Sequence, residues 1–370
     1  MEYILNKLNI DNNVMSSTFE RVKLAEYLDT VIQNTYVKNE DNTKHYSEKF
    51  NVLLFDLMKN FDYTKEVIDP FAGRGDLLFT LDRFRSVKMY DIKPDVSNVI
   101  ERDTLLNPLN FDNKYVITNP PYLARNKSKN KEVYDKYNVD DLYKASIITI
   151  INGNALGGCL IVPINFLTDE NTEVIRKKFF EKYHIDNLNI FKKQMFEYTK
   201  YNTISFNFTL GKQTKPIKTI IFSNDNIQEE LIELNEKFGY RLYGEFYDTL
   251  PKETGINRYY PTKKEVSVIS NIYVHCIDGT KEDSRIRAEY IEKIPLLKQS
   301  DRNTFLACFD KEYTKQEQIN IIKHFNNFIN ENREKYNNLL FSNFRENNRK
   351  RISFELAYKI LQKSIDTIYK

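Results

Sequence analysis

Val67-Ile68-Asp69-Pro70-Phe71-Ala72-Gly73-Arg74-Gly75-Asp76-Leu77-Leu78 reads as a strand, a glycine-containing turn and the start of a helix. Glycines at 73 and 75 let the backbone approach a ligand closely and adopt conformations closed to other residues. In open α/β sheets the ligand crevice lies outside the carboxyl ends of the strands, where such a turn would sit. The spacing is not the dinucleotide Gly-x-Gly-x-x-Gly, and no Lys-Ser/Thr pair follows it. A nicotinamide dinucleotide or the phosphates of ATP are therefore poor candidates.

Outward from this stretch the chain alternates β-rich runs with helical segments. Strands are predicted at 67–71, 87–90, 115–118, 158–162, 188–191 and 203–210, with helices around 77–84, 142–152 and 170–182. That alternation predicts an α/β domain with a mixed, mainly parallel sheet flanked by helices, of Rossmann-like type. The last two strands are joined by a short loop without a clear helix, so that end of the sheet is expected to be antiparallel. Upstream, 18–35 has apolar positions at helical spacing, 38–44 is polar, and 50–61 is again helical in pattern. Beyond 211–216 the regularity fades. Residues 1–225 are read as the catalytic domain, with a helical extension over 1–43. Residues 226–370 are read as a second, smaller mixed α+β domain.

Length and composition agree with this division. A chain of 370 residues suggests about two domains. It is 41% hydrophobic and 29% charged, with a formal net charge of +3. This balance neither demands nor excludes nucleic acid, since a local basic cleft fits inside a balanced whole. The cysteines at 159, 276 and 308 and the histidines at 45, 184, 275 and 324 are scattered. They form no zinc-type spacing and no disulfide framework, which fits a reducing compartment and no metal. The N-terminal MEYILNKLNIDNN is no secretory signal, and no apolar run approaches the ~18 residues of a membrane span. A soluble cytoplasmic protein without membrane partners is expected.

Three acidic or amide positions follow the opening turn at successive strand ends. Asp91, in Met89-Tyr90-Asp91-Ile92-Lys93-Pro94, can accept hydrogen bonds from two ribose hydroxyls. Asp103, in Glu101-Arg102-Asp103-Thr104, can receive an adenine amino group. Asn119-Pro120-Pro121-Tyr122 closes the apolar run Tyr115-Val116-Ile117-Thr118. It places an amide, a backbone carbonyl and an aromatic ring together at the carboxyl end of a strand, a trio suited to a planar amino group. Each acidic residue alone reads more readily as a turn or cap. Their order, strand end after strand end, is what argues for a cleft.

These motifs resemble those of the S-adenosylmethionine-dependent DNA adenine-N6 methyltransferases of the type II restriction–modification kind. The order is the gamma type, with cofactor motifs, then catalytic motifs, then a C-terminal recognition domain. Asp69, Pro70, Phe71, Ala72, Gly73 and Gly75 match the first cofactor motif, Asp91 and Ile92 the second, and Asp103 and Thr104 the third. Asn119-Pro120-Pro121-Tyr122 matches the catalytic motif, and Asp141-Leu142-Tyr143 the one after it. Gly157-Gly158-Cys159-Leu160-Ile161-Val162-Pro163-Ile164-Asn165-Phe166-Leu167 resembles the family's glycine turn, strand and P-x-x-F-L element. Gln194-Met195-Phe196-Glu197 resembles the late motif that supplies a base-stacking aromatic. Lys44-His45-Tyr46 resembles the upstream motif, in which Tyr46 would cap the methionine end of the cofactor. Arg74 departs from the family, where a small or uncharged residue is usual, and is expected to point to solvent.

The resemblance implies S-adenosyl-L-methionine as cofactor, S-adenosyl-L-homocysteine as product, and a flipped-out adenine of double-stranded DNA as substrate. Asn119 would touch both cofactor and base. Its side-chain oxygen and the Pro120 carbonyl would accept hydrogen bonds from the adenine amino group, favouring the tetrahedral nitrogen of the transition state. Tyr122 would stack on one face of the base and Phe196 on the other, with Tyr198 as the substitute. Lys263, Lys264, Arg345, Arg349, Lys350 and Arg351 would contact DNA phosphates. A monomer is expected, with a separately encoded restriction endonuclease as partner if the enzyme belongs to such a system. An orphan or phage-borne enzyme is equally compatible, and the base-reading residues are not identified. An RNA adenine methyltransferase would share the core. A protein glutamine methyltransferase uses the same tetrapeptide, because a carboxamide presents the same planar NH2. The DPFAG form of the turn and a C-terminal domain of about 145 residues favour the DNA enzyme. A non-catalytic DNA-binding module is opposed by the intact Asn119, Asp91 and both glycines.

Overall fold

The computed structural model describes residues 57–58, 60–77, 83–94, 96–192, 195, 202–223, 227–260, 268–279, 286–294, 301–343 and 349–369. They divide into two compact units, one reaching to Phe166 and resuming over Thr172–Glu233, the other comprising Leu167–Asn171 and Leu234–Lys370.

The first unit is built on a nine-stranded sheet. Its strands are β1 (Glu66–Asp69), β2 (Ser86–Asp91), β3 (Ile100–Glu101), β4 (Lys114–Thr118), β5 (Gly157–Pro163), β6 (Tyr183–Phe191), β7 (Thr203–Leu210), β8 (Ile217–Phe222) and β9 (Ile227–Ile232). The spatial order is β3-β2-β1-β4-β5-β7-β6-β8-β9. β1 to β5 are parallel, whereas β7 runs antiparallel to both β5 and β6, as expected for that end of the sheet. β1 pairs with β2 on one side and β4 on the other, so the strand order reverses between β1 and β4. In doubly wound sheets that reversal opens a crevice at the strands' carboxyl ends.

The central strands are apolar because helices or loops cover both faces. In β4, Tyr115 and Ile117 join a core with Val67, Met89, Cys159 and Ile161. Phe61 stacks on Tyr115 with ring centroids 4.5 Å apart. On the opposite face Phe166, Phe179, Phe206 and Phe208 pack edge to face and in parallel, which adds quadrupole attraction to area burial. The 142–152 and 170–182 helical readings correspond to the helix Leu142–Asn152 and the helix Glu173–Phe180, the latter preceded by a 3-10 turn.

Strand β9, paired on β8, carries this sheet past the boundary read at 225/226. β8 pairs in parallel with β6, and β9 closes an antiparallel hairpin on β8. Main-chain pairing to the sheet thus carries the first unit to Glu233. The helical readings at 18–35 and 1–43 lie outside the described residues, as do most of 50–61 and 78–82 of the 77–84 reading.

The second unit is mixed α+β. Strands β10 (Asn257–Arg258), β11 (Val268–His275), β12 (Arg287–Tyr290) and β13 (Thr304–Phe309) form an antiparallel sheet in the order β10-β13-β11-β12. The helix Lys315–Lys335 starts at a capping box between Thr314 and Glu317 and buries Ile321, Phe325, Ile329 and Arg333 at four-residue spacing. The helix Phe354–Tyr369 buries Leu356, Ala357, Ile360, Leu361, Ser364 and Ile365, again one stripe of a 3.6-residue period. Between these helices β14 (Ser342–Asn343) pairs with β15 (Lys350–Arg351).

Candidate active site

β1 ends at Asp69, and the chain then turns through Gly73 (φ +56°) and Gly75 (φ +76°). A Cβ at Gly73 would meet nothing within 4 Å, so the left-handed backbone, not crowding, is what demands glycine there. The turn is drawn onto the end of β2. Ala72 N–H donates to the Tyr90 carbonyl at 2.8 Å, and Gly73 N–H donates to Asp91 Oδ2 at 2.8 Å. Asp91 Oδ1 accepts from Lys93 N–H at 2.9 Å. Each carboxylate oxygen keeps a second lone pair for a ligand. Ile92 beside it is 64% exposed, an apolar surface at the mouth of the crevice.

Asp103 uses one oxygen as a turn cap, since Oδ1 accepts from Leu105 N–H at 3.1 Å and Leu106 N–H at 2.9 Å. Thr104 is buried and its hydroxyl donates to the Pro70 carbonyl at 2.9 Å, pinning the third strand's loop against the glycine turn. The cap on Asp103 uses Oδ1.

Asp69 lies beneath this turn, only 2% exposed. Its Oδ1 accepts from Phe71 N–H at 3.1 Å and from the Thr118 hydroxyl at 2.6 Å. Burial pushes the Asp69 carboxyl up to about 7, against the pull of those two hydrogen bonds, with the negative charges of Asp91 and Asp76 adding to the rise. Thr118 is the last residue of β4, so this bond ties the residue before the glycine-containing turn to the residue before Asn119. The Tyr122 hydroxyl lies 2.5 Å from Asn119 Oδ1 and 2.6 Å from the Ile161 carbonyl oxygen on β5. Burial raises the Tyr122 phenol well above its ordinary range, with the Asp141 carboxylate adding to the effect.

A cavity of about 500 Å³ opens over these strand ends. The structure brings together Phe71, Ala72, Gly73, Asp91, Ile92, Asp103 and Thr104 around it, and with them Asn119, Pro120 and Pro121. Asp69, Pro70, Gly75 and Tyr122 are not on its wall. Asp69 and Tyr122 instead stand one layer back, bonded to residues at or next to the wall. Arg74, read as pointing to solvent, is half-buried on the wall, between the left-handed Gly73 and Gly75. Asp76, Arg102, Leu105, Val133 and Leu142 were missed as lining residues. Leu142 carried a signal, since it belongs to the Asp141-Leu142-Tyr143 motif. Val133 carried none, because its place depends on how the helix Glu132–Tyr137 folds back.

Tyr46, Phe196, Tyr198, Lys263, Lys264 and Arg345 lie outside the described residues. In the described part of the basic run of the second unit, Arg349 and Arg351 are half-buried and Lys350 is buried. Lys350 is 2% exposed and its backbone N–H donates to Asp278 Oδ2 at 3.2 Å. Arg349 Nε donates to the Asp278 carbonyl at 2.6 Å, and an Arg351 nitrogen donates to the Arg302 carbonyl at 2.9 Å. Asp278 also holds a largely buried ion pair with Arg333 at 2.6 Å. The pairing of β15 with β14 turns alternate side chains inward, and Lys350 is the one that points into the unit. That burial stands against the phosphate contact expected of Lys350. Among the described residues no group of His, Cys, Asp and Glu is arranged to hold a metal ion, and no helix is long and apolar enough to cross a membrane.

No protein-family model and no curated protein sequence matches the chain. Among solved structures it is similar to a modification subunit of a putative type I restriction enzyme from Vibrio vulnificus YJ016. Identity is 12%, the match covers 62% of this chain and 64% of that one, and the TM-score is 0.43. A putative class I S-adenosylmethionine-dependent methyltransferase from Listeria monocytogenes matches at 12% identity over 57% of this chain and 75% of that one, with a TM-score of 0.41. The type IIG restriction endonuclease BpuSI matches at 14% identity over 66% of this chain and 39% of that one, with a TM-score of 0.40. The chain thus spans under two thirds of the Vibrio subunit's length.

Proposed function

We propose that this protein is a site-specific DNA methyltransferase that transfers a methyl group from S-adenosyl-L-methionine to the N6 amino group of a flipped-out adenine. The observation that carries the reading is that Asn119, Pro120 and Pro121 share one cavity wall with Gly73, Asp91 and Asp103 at the reversal point of the sheet. The donor set fits the cofactor: a left-handed glycine turn with room above Gly73, a carboxylate with spare lone pairs at Asp91, and an apolar Ile92 beside it. A cavity of about 500 Å³ is of a size that takes a nucleoside-sized ligand.

Asp91 would hold the ribose hydroxyls, Asp103 Oδ2 the adenine amino group, and the turn around Gly73 the methionine portion. When bound, the cofactor supplies an activated sulfonium methyl. The protein's task is then positioning and charge stabilisation. The Asn119 side-chain oxygen and the Pro120 carbonyl accept hydrogen bonds from the target amino group and favour its tetrahedral, cationic form. No strong base is required, since the amino proton becomes acidic as the nitrogen gains its fourth bond. The target atom is inaccessible inside a duplex, so the base must leave the stack, at a cost of a few kcal/mol. Asn119 and both prolines support adenine as the acceptor. Membership of a restriction–modification system, with a separately encoded endonuclease, is the biological setting proposed.

Initial rates of methyl transfer to duplex DNA, structured RNA and a glutamine-bearing protein test the substrate class. Long-read sequencing of DNA from a host expressing the protein tests the base. N6-methyladenine at one short motif is expected, and Asn119→Ala should abolish it while duplex binding persists. Methylated cytosine, transfer to RNA or protein alone, or activity retained in Asn119→Ala would overturn the proposal.

A further inference from the structure

The chain leaves the cavity wall at Pro121 and returns to it at Val133, so the segment between them is anchored beside the cavity at both ends. Arg125, Lys127, Lys129 and Lys131 are the only charged residues of 123–131, set at alternate positions. The structure gives them two different tasks. Lys131 Nζ donates to the Arg125 and Ser128 carbonyls and closes the loop on itself. Arg125 pairs at 2.7 Å with Asp135 on the helix Glu132–Tyr137. Arg125 N–H donates to the Asp140 carbonyl at 2.7 Å, and Leu142 N–H donates to the Leu123 carbonyl at 3.1 Å. The Tyr134 hydroxyl donates to that same Leu123 carbonyl at 2.9 Å. These bonds fasten the loop to the two helices that carry Val133 and Leu142, both of which line the cavity. Lys127 and Lys129 instead are exposed, with no ion pair among the described residues.

We propose that Lys127 and Lys129 grip the phosphodiester backbone of duplex DNA beside the target nucleotide. The inference rests on the proposed adenine transfer and adds to it a DNA-contacting surface on the first unit. A nucleotide that leaves the stack stays covalently tied to its strand, so the phosphates on either side of it come to the mouth of the pocket that receives the base. Cations fixed beside that mouth meet them. Lysine suits such a contact, since it binds phosphate as a point charge and reads no base. The backbone beneath both side chains is already held, so little main-chain ordering is lost on binding. The carboxylates that follow do not cancel the charge. Asp135 is taken by Arg125, Asp140 by Lys144 at 2.6 Å, and Asp141 accepts from Leu123 N–H at 3.1 Å. Glu132 is exposed and offsets one of the two lysines, which leaves the rim basic.

The test is the affinity of the full chain for duplex DNA, read by fluorescence anisotropy over a range of salt concentrations, with and without the methylated motif in the duplex. The double variant Lys127→Gln/Lys129→Gln is expected to bind both duplexes about tenfold or more weakly at roughly 0.1 M salt. Its slope of log K against log salt should be shallower by about two. Calorimetric affinity for S-adenosyl-L-methionine should match the wild type. Lys127→Arg/Lys129→Arg keeps both charges and should keep the slope. Lys218, exposed on β8, lies four strand spacings, about 19 Å, from β4, and Lys218→Gln should leave the slope unchanged. A wild-type slope in the double glutamine variant overturns the proposal. So does an equal loss in Lys218→Gln, or a weakening confined to the cofactor or to the motif-bearing duplex. A wild-type protein that methylates RNA or protein instead of duplex DNA overturns the proposed function, and the grip with it. Adenine methylation of duplex DNA by the wild type, with an unaltered slope in the glutamine variant, overturns the grip alone.

Discussion

The Thr118 hydroxyl donates a 2.6 Å hydrogen bond to the buried Asp69 carboxyl, joining the last residue of β4 to the last residue of β1. The glycine turn begins one residue after Asp69 and Asn119 follows Thr118, so the bond sets the distance between the two halves of the site. Thr118→Val keeps the shape and removes the donor. Leaving a buried acceptor short of a partner should cost about 1–3 kcal/mol in urea unfolding. Methyl transfer should slow by about tenfold through displacement of Asn119. Unchanged stability together with an unchanged rate would remove the link.

Asp69 also gives the protein a pH dependence of defined sign. Its pKa is about 7 when folded against 3.8 for the ordinary carboxyl, with burial as the main cause. Between those values the folded state binds the extra proton. Stability is therefore fully present below the lower value and lost as pH rises through the upper one. Unfolding free energy should fall by up to roughly 1.4 kcal/mol per pH unit across that window, then level off. Asp69→Asn should flatten the slope. Urea titrations at about pH 5, 6, 7 and 8 provide the check, and parallel curves for the two proteins would show that Asp69 is not the group responsible.

Much of the crevice was legible because its chemistry is local. A strand followed by two glycines, and a tetrapeptide with two prolines, fix backbone shape within a few residues, and both lie where they were read. What was not legible depends on distant pairing. Val133 reaches the cavity from a helix whose approach no local pattern encodes. β8 and β9 read as a fading of regularity, yet their main chains continue the sheet. The strand was read from 158, with a glycine turn before it by resemblance, but Gly157 too lies within β5, and a Cβ on Gly158 would stand 1.8 Å from the Val116 carbonyl oxygen. There the demand for glycine comes from the neighbouring strand. Lys350 depends on pairing too: a basic run looks like a surface until strand pairing turns one of its side chains to the interior.

Asp91 Oδ2 accepts from Gly73 N–H and so holds the glycine turn in place, and in the proposed function the same carboxylate would hold the ribose hydroxyls. Asp91→Ala should weaken S-adenosyl-L-methionine binding by about 10- to 100-fold, the worth of one or two hydrogen bonds to a charged acceptor. Asp91→Asn keeps an acceptor for Gly73 and should lie between the two. Titration calorimetry with the cofactor and its demethylated product measures both. Wild-type affinity in Asp91→Ala would show that the cavity is not the cofactor's.

Lys350 separates a structural cation from a phosphate contact. Its side chain is buried, and its backbone is bonded to Asp278, the residue that also pairs with Arg333. Lys350→Ala should therefore lower stability by about 1–3 kcal/mol through lost packing around a buried side chain. It should leave the salt dependence of duplex binding unchanged. A lysine that met a phosphate would reduce the slope of log K against log salt by about one when removed. Binding isotherms over a range of salt concentrations distinguish these outcomes, provided they are recorded where the variant is folded. A reduced slope without a stability loss would return Lys350 to the DNA-contacting surface, and would require β15 to release its side chain when the duplex binds.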